Sequence, residues 1–234
     1  IISRFEYIIK KIETSRLKIN PFKHVYIDNF LKKNDYDELI NNVPLDKNWD
    51  LSAKKNKALR RKSWQLQTYS LNPKKIKIIS ELNKVFESKE FCNGLLRLFR
   101  IKGNFKNGIF KTAWCRNYDG FTISPHKDQN DKILSCLFYL ATDNSNKENG
   151  TQILKPIKNV KKFGDKHMRW YDFKKVDDIQ FVKNRFVCWS VNDKSFHSVD
   201  VKIDLSSKHP YRDTVRAFYF KNKKKLPELY TRYK

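Results

Sequence analysis

Apolar residues recur at helical spacing through the first third of the chain. In the opening segment they stand three or four positions apart between charged residues, which gives a helix one apolar face. The same spacing recurs from Phe30 to Val43, after a short alternating stretch at 24–29. It recurs again after Asn72, a candidate N-cap that is followed by Pro73 in the first turn. The pattern predicts three helices in this region.

The pattern changes at about residue 105. Short apolar or alternating runs then follow one another, separated by Asn, Asp and Gly, as expected for an antiparallel sandwich or barrel. These runs are ILSCLFYLA, TQILKP, RFVCWSV, SFHSVDV and TVRAFYF. No repeat or Gly/Ser-rich linker separates the two halves. We therefore expect one α+β, mainly β, domain over 1–234, with a mainly helical support region at 1–104 packed on one face of a β core at 105–221, and a basic tail at 222–234.

Composition indicates a globular chain, because 17 Phe, 11 Tyr and 5 Trp supply large side chains for a core. The four cysteines form no CxxC pair, which favours neither a zinc knuckle nor a disulfide framework. Cys136 and Cys188 fall inside apolar runs and are predicted to be small core residues. No apolar run approaches the roughly 20 residues that span a bilayer. We expect a protein without a membrane span, in the reducing cytoplasm.

The net charge of +25 raises the question of a nucleic-acid partner. Most of the cations are Lys spread along the whole chain, whereas surfaces that read bases and fork onto phosphates favour Arg. Nucleic acid is therefore the less favoured partner. The one dense basic run, Lys221 with Lys223, Lys224 and Lys225, is typical of a solvated chain end.

His126 and Asp128 are the first candidates for chemistry. They stand two positions apart in SPHKDQN, and alternate residues of an extended chain project to the same side. A second His from a distant strand would complete a set of two imidazoles and one carboxylate, which leaves coordination positions of Fe(II) open. His197 is the predicted third ligand, because an Asn-Asp turn at 192–193 returns the chain to the same sheet just before it. Alone, a His two positions from an Asp is more typical of a surface pair or a hydrogen-bonded structural contact than of a metal site.

Further residues follow in a defined order around this pair. A Tyr precedes it, an apolar strand ending in Tyr-Leu and a Gly-containing turn follow, and then come a distal His and an Arg; the matching positions are Tyr118, Tyr139, Gly150, Thr151, His197 and Arg212. In this order residues 112–221 resemble the Fe(II)- and 2-oxoglutarate-dependent dioxygenases, specifically the prolyl-4-hydroxylase-like group. The resemblance implies a double-stranded β-helix, or jelly roll.

The resemblance also implies roles for these residues. His126, Asp128 and His197 would hold Fe(II), and 2-oxoglutarate would be bound by residues that include Tyr118, Tyr139, Arg212, Thr214 and Arg216. A buried dicarboxylate needs a planar two-donor cation at its free end. Arg212 is preferred over Arg216 for this position, because a hydroxyl residue follows two positions later in the family motif, as Thr214 does here. Arg216 lies on the same strand face and would otherwise contact the substrate or pair with a carboxylate inside the barrel mouth.

The implied activity is hydroxylation of an unactivated C–H bond, with O2 as the oxidant, succinate as the co-product and ascorbate as an optional reductant. Substrate loops vary freely on a shared fold, so the substrate stays open between a peptidyl residue such as proline, a small metabolite or glycan precursor and, as the third class, a nucleobase. The alternative to an enzyme is an inactive jelly-roll binding module, with nucleic acid among its candidate ligands. The long stretch between Thr142 and Asn184 departs from compact family members, and its Trp170, Tyr171 and Phe173 predict either a lid or a packed hairpin. The sequence does not indicate an oligomeric state.

Overall fold

The structure is a computed structural model that describes residues 3–44, 49–51, 68–102, 108–157, 168–207 and 209–221. Within these ranges the helices are α1 (Tyr7–Glu13), α2 (Lys33–Asn42), α3 (Lys77–Phe86) and α4 (Lys89–Phe99), with short 3₁₀ helices at Ser3–Phe5, Pro73–Lys75 and Trp170–Asp172. The strands are β1 (His24–Ile27), β2 (Trp49–Leu51), β3 (Thr68–Leu71), β4 (Ile109–Asn117), β5 (Thr122–His126), β6 (Lys132–Tyr139), β7 (Thr151–Pro156), β8 (Phe173–Ile179), β9 (Arg185–Ser190), β10 (His197–Asp200) and β11 (Arg212–Phe220).

The strands form two sheets in which neighbouring strands are antiparallel. The larger sheet has the order β1-β9-β6-β11-β4-β3-β2, and the smaller has the order β5-β10-β7-β8. From β4 onward the chain crosses repeatedly between the sheets. The predicted mainly β architecture is therefore present, and β1, β2 and β3 from the helical region extend the larger sheet at both edges.

Each face of the larger sheet packs against a different layer. On one face, the four helices bury apolar side chains against alternate strand residues such as Phe138, Phe186 and Val215. On the other face, Leu137 and Trp189 pack in one cluster with Ile153 of the smaller sheet. Because alternate residues of a strand point to opposite faces, a strand buried on both sides carries two apolar layers. The helices lie on one face, as the sequence predicted.

The third predicted helix begins later than expected. The side chain of Asn72 accepts a hydrogen bond from the Lys74 backbone N–H at 2.9 Å, but it caps the 3₁₀ turn Pro73–Lys75. Ile76 is extended, with φ −127° and ψ 124°, and α3 starts only after it. Proline disfavours helical conformation only for the residue before it, so it does not explain this break.

Four elements have no clear signal in the hydrophobic pattern. Helix α4 is capped by the Ser88 hydroxyl, which accepts a hydrogen bond from Phe91 N–H at 3.1 Å. Strand β4 is buried on both faces and does not alternate. Strand β5 contains Pro125, which is tolerated because β5 is an edge strand. Strand β8 is the opposite edge and exposes Lys174, Lys175 and Val176.

The four cysteines are free and buried, so Cys136 and Cys188 are core residues as predicted. The Lys-rich tail beyond Lys221, and His167 in the basic stretch before Met168, lie outside the described residues. Among the helices that the structure describes, none is long and apolar enough to cross a membrane.

Candidate active site

His126 and His197 lie side by side at one end of the β5–β10 strand pair in the smaller sheet. His126 ends β5, His197 begins β10, and the two are register partners in this antiparallel pair. Side chains of register partners project from the same face, and the two ring centroids lie 4.3 Å apart. The register shifts by one residue between His197 and Val199. These two residues of β10 are two positions apart, whereas their partners on β5, His126 and Ile123, are three positions apart. Such a bulge redirects side chains and is typical next to functional sites.

Backbone carbonyls fix the tautomer of both histidines. Nδ1 of His126 lies 2.9 Å from the carbonyl oxygen of Ser124, and Nδ1 of His197 lies 3.0 Å from that of Ser195. A carbonyl can only accept, so each Nδ1 carries the proton and each Nε2 carries the lone pair. This is the arrangement in which a backbone carbonyl orients a metal-ligating imidazole.

Asp128 lies beside this pair and is 8% exposed. Its Oδ2 is 3.6 Å from Nε2 of His197 and accepts a hydrogen bond from the Ser135 hydroxyl at 2.7 Å. Its Oδ1 accepts a hydrogen bond from the Lys132 ammonium, also at 2.7 Å. The same ammonium lies 3.7 Å from the centre of the Phe218 ring. The three predicted ligands are therefore neighbours, and the Asp128 carboxylate is already paired with the Lys132 ammonium.

The electrostatic environment sets the protonation states of these groups. Burial would raise the pKa of Asp128, but the charge of Lys132, followed by the imidazoles of His197 and His126, lowers this pKa below its ordinary value. Burial lowers the pKa of His197, although Asp128 opposes the change. At neutral pH the site therefore holds an ionised carboxylate and a neutral imidazole, which are the forms that bind metal ions.

The donor set fits a divalent transition metal, although the side chains are not arranged as a closed cage. Within the part of the chain that the structure describes, no three His, Cys, Asp or Glu side chains are grouped closely enough to hold a metal ion. At Asp128 both oxygens are instead bonded, to Lys132 and to Ser135. Two imidazole nitrogens and one carboxylate oxygen nevertheless form the donor set of non-haem Fe(II). A metal at this site would share or displace the Lys132 contact.

A cavity of about 370 Å³ opens beside these residues. Its lining includes all three predicted ligands, the apolar side chains of Leu137, Trp189 and Phe218, and the cations Lys132, Arg212 and Arg216. The volume is at the lower end of the range for small-molecule sites, which is about 300–1,000 Å³. The cavity can therefore hold a compact ligand next to the candidate metal ligands.

Arg212 forms the deepest cationic part of this cavity and is 2% exposed. Its Nε donates to the Asn149 carbonyl oxygen at 2.6 Å and its Nη1 to the Asn117 carboxamide oxygen at 3.4 Å. Burial lowers the pKa of Arg212 to about 10. Among the described residues it has no carboxylate partner. A buried guanidinium with five N–H donors and so few acceptors is suited to an anionic ligand.

Hydroxyl groups surround the Arg212 guanidinium. The Tyr139 hydroxyl lies 2.6 Å from the Thr151 hydroxyl, and the Tyr139 ring centre is 5.5 Å from Arg212 Cζ. Burial raises the pKa of Tyr139, so the phenol stays protonated and can donate. Among the described residues, the buried Thr214 hydroxyl has no hydrogen-bond partner. Because buried polar groups are normally paired, this orphaned hydroxyl favours a polar ligand at Thr214, which stands two positions after Arg212 on the same face of β11 but is not itself part of the cavity lining.

The predicted turn before β7 requires glycine for steric reasons. A Cβ added at Gly150 would lie 2.0 Å from the Ile179 carbonyl oxygen, closer than any real contact. Gly150 thus allows the chain to pass close to β8 just before Thr151 enters the cavity wall.

Arg216 also reaches the cavity, from the same face of β11 as Arg212. It is partly exposed, and its Nη2 donates to the Asn117 carboxamide oxygen at 3.3 Å. Its Cζ lies 5.8 Å from the centre of the Phe121 ring. Both arginine candidates therefore line one cavity and share one amide acceptor.

The sequence candidate Tyr118 and two further histidines, His24 and His209, lie away from the cavity. Tyr118 is not part of the lining; it follows the end of β4, and its ring packs edge-on against Tyr211 with centroids 6.3 Å apart. His24 is fully buried in β1, with Nδ1 2.9 Å from the Phe22 carbonyl oxygen. His209 contacts the Tyr211 hydroxyl in a loop. The proposed co-substrate role of Tyr118 stays a prediction.

Several side chains at the site were not singled out from the sequence. Lys132 and Ser135 hold Asp128, Trp189 lies with its ring centroid 4.7 Å from that of His197, and Asn117 bonds both arginines. Lys132 stands four positions after Asp128, but that spacing signals a contact only in a helix. The contact of Trp189 depends on strand pairing between distant segments, so the local pattern carries no sign of it.

Comparison with known proteins gives a match in structure alone. No family model matches the sequence, and no curated protein matches it significantly. A prolyl-4-hydroxylase from Pseudomonas putida aligns with a TM-score of 0.54 at 9% identity, over 92% of this chain and 98% of that chain. A 2OG-Fe(II) oxygenase family oxidoreductase from Burkholderia pseudomallei aligns with a TM-score of 0.52 at 10% identity, over 92% and 90%. The non-haem α-ketoglutarate-dependent epimerase SnoN from nogalamycin biosynthesis aligns with a TM-score of 0.54 at 10% identity, over 96% and 88%.

These alignments span nearly the whole of each chain, so they concern the complete architecture. The resemblance seen in the sequence motifs is therefore confirmed at the level of structure. This chain has the fold of the 2-oxoglutarate and Fe(II) oxygenases, with prolyl 4-hydroxylases among its structural neighbours.

Proposed function

We propose that this protein is an Fe(II)- and 2-oxoglutarate-dependent oxygenase on a double-stranded β-helix. The observation that carries the proposal is that His126, Asp128 and His197 line one cavity together with the buried Arg212. The shared fold supports it, but a fold alone hosts many functions. The function therefore rests on the chemistry of these residues.

In this proposal the two histidines bind the metal through Nε2, and Asp128 binds it through its carboxylate. Ser124 and Ser195 carbonyls hold the imidazoles in the required tautomer. Ser135 orients the carboxylate. Bound Fe(II), with 2-oxoglutarate and O2, supplies the oxidising power for attack on an unactivated C–H bond. The chain itself supplies ligands, orientation and an apolar surrounding.

Arg212 binds the far carboxylate of 2-oxoglutarate in this proposal. Its bonds to Asn149 and Asn117 fix the guanidinium before the co-substrate arrives. The orphaned Thr214 hydroxyl donates to the same carboxylate, and Tyr139 adds a phenol donor behind Thr151. A buried arginine and a hydroxyl without partner are both explained by one dicarboxylate ligand.

A hydroxylase is the first candidate within this reaction class, and a peptidyl residue such as proline is one candidate substrate, as in the prolyl-4-hydroxylase neighbours. SnoN, with the same fold, is an epimerase, so hydroxylation is not the only outcome that the fold supports. The cavity of about 370 Å³ favours a small metabolite or a single protruding side chain as the substrate.

The bond between Lys132 and Asp128 favours a second candidate function, a binding module without turnover. An ammonium that holds the carboxylate permanently would exclude the metal, while Arg212 and Arg216 would still attract an anion. The two candidates differ in whether the protein binds Fe(II).

Succinate formation from 2-oxoglutarate under air, with added Fe(II), tests the proposal and its alternative. We expect wild-type protein to form succinate slowly and Asp128→Asn to form none, because the amide cannot supply a charged ligand. Asp204→Asn is the matched control, because Asp204 lies in an exposed turn, where its carboxylate accepts a hydrogen bond from the Ser206 backbone N–H. Absence of both succinate and Fe(II) binding in folded wild-type protein would favour the binding module.

A further inference from the structure

The cavity contains more positive charge than the proposed metal and co-substrate need. Its ionisable lining comprises Lys127, Lys132, Arg212 and Arg216 against one carboxylate, Asp128, in addition to the two histidines. Fe(II) and the 2-oxoglutarate dianion carry equal and opposite charges. Filling the proposed site would therefore leave the cavity positive.

Two of these cations already have acidic partners. Lys132 contacts Asp128, and Lys127 contacts Asp193 at 2.6 Å. The far carboxylate of the co-substrate would pair with Arg212. Arg216 is then the cation that no acidic group in the described structure neutralises, since its contacts are the Asn117 amide oxygen and the Phe121 ring.

We propose that Arg216 binds a carboxylate of the primary substrate, and that this substrate is a compact acid with an apolar body. This inference rests on the proposed function and names the substrate class of that same site. One guanidinium matches one carboxylate through two parallel hydrogen bonds. The apolar body would lie against the hydrophobic lining of the cavity, which comprises Ile123, Leu137, Trp189, Val199 and Phe218.

The position of Arg216 supports this role. Arg212 and Arg216 stand on the same face of β11, with Arg212 buried and Arg216 partly exposed. The buried arginine is suited to the ligand that enters first and lies deepest. The more exposed arginine is suited to a ligand that enters and leaves in each turnover. Asn117 holds both guanidinium groups through one oxygen and thereby fixes their spacing.

Benzoate is a suitable probe, with neutral benzamide as its matched control. The protein is loaded with Mn(II), a paramagnetic substitute for Fe(II), and with 2-oxoglutarate at a concentration that saturates each variant in a prior titration. NMR relaxation of the probe protons then reports binding close to the metal, without turnover. We expect relaxation of benzoate protons and little effect on benzamide.

Arg216→Met should weaken benzoate binding about tenfold or more, because a charge-assisted bidentate contact is lost. Arg216→Lys keeps the charge but lacks the planar guanidinium. Its affinity for benzoate should therefore lie between those of wild type and Arg216→Met. Lys155→Met is the matched control for charge, since Lys155 is exposed on β7 and not part of the cavity lining. It should behave as wild type.

Four outcomes would overturn the inference. Equal relaxation of benzoate in wild type and Arg216→Met, or none in wild type that binds Mn(II) and 2-oxoglutarate, would refute it and leave the proposed function intact. Loss of 2-oxoglutarate binding in Arg216→Met would make Arg216 the co-substrate anchor. Failure of the wild type to bind either Mn(II) or 2-oxoglutarate would overturn the inference together with the proposed function.

Discussion

His126 and His197 are register partners on neighbouring antiparallel strands, and their ring centroids lie 4.3 Å apart. The pair joins two segments of the chain that are distant in sequence, so a metal ion held by both rings would link β5 to β10. Each ring is oriented by a carbonyl two residues before it. The site is therefore built into the sheet and does not depend on a flexible loop to bring its imidazoles together.

The first prediction concerns the contribution of each imidazole to metal binding. We expect His126→Gln and His197→Gln each to weaken Mn(II) binding by at least about 100-fold, since loss of even an outer-shell partner weakens metal sites by about 10–100-fold. His209→Gln should bind Mn(II) as wild type does, because His209 lies in a loop beside Tyr211. Calorimetric titration of the three variants measures these affinities. Equal affinity in all three would contradict a histidine-ligated metal.

The second prediction concerns Asp128 in metal-free protein. Its pKa is lowered in the folded state, chiefly by Lys132 against the effect of burial, so the ionised carboxylate stabilises the fold at any pH above its unfolded value of about 3.9. That contribution is lost as the pH falls through the lowered folded pKa. At pH 7, Asp128→Asn should reduce the free energy of unfolding by about 3 kcal/mol, as expected for a broken buried ion pair.

Urea unfolding of wild type and Asp128→Asn, from pH 7 down to pH 3 in the presence of a chelator, checks the sign. The difference in free energy of unfolding should stay constant above about pH 5 and shrink below about pH 4. A difference that grows in acid would show that protonated Asp128 is the stabilising form.

The third prediction separates stability from binding at Arg212. A buried guanidinium without a carboxylate partner disfavours the ligand-free fold, as the lowering of its pKa by burial indicates. Arg212→Met should therefore leave the free energy of unfolding unchanged or raise it by about 1 kcal/mol, because apolar replacement of buried charge is often stabilising. In thermal unfolding, 2-oxoglutarate should raise the Tm of wild type and not that of Arg212→Met.

Arg97→Met is the control for this change, since Arg97 forms an exposed pair with Glu13. It should lose at most about 1 kcal/mol and keep the Tm increase with 2-oxoglutarate. A strongly destabilised Arg212→Met would mean that the bonds to Asn149 and Asn117 outweigh the desolvation of the charge.

The fourth prediction concerns the thiols. All four cysteines are buried, and burial raises the pKa of Cys92, Cys115 and Cys136, which disfavours the reactive thiolate. We expect no reaction with a water-soluble thiol reagent in native buffer and reaction of all four cysteines in denaturant. Rapid labelling of the native protein would show that the strand core opens under native conditions.

Local patterns in the sequence predicted part of the fold and part of the site. Strand β7 was predicted with its observed bounds, because TQILKP is flanked by turn residues. The His-x-Asp pair and Arg212 could be found because each belongs to an ordered motif. Strand β8 could not be found in the same way, because an exposed edge strand with Lys and Asp in its middle lacks an apolar alternation.

The contacts around Asp128 depend on the tertiary structure. Ser135 contacts Asp128 and its register partner Trp189 lines the cavity because β6 and β9 are neighbours in the larger sheet, whereas Cys136 and Cys188 pack with the helices. Both faces of these strands are apolar in sequence, so alternation alone does not tell which face lines a cavity. The bond of Lys132 to Asp128 likewise requires the turn between β5 and β6, which no motif specifies.

The central claim is that the chain binds Fe(II) and 2-oxoglutarate at one site, and an anaerobic titration of purified protein with both tests it most directly. We expect the weak visible charge-transfer band of the iron chelate in wild type, and its loss or weakening in Asp128→Ala and in Arg212→Ala. A folded wild-type protein that develops no band, or a band of equal strength in both variants, would contradict the assignment of these residues to the metal and the co-substrate.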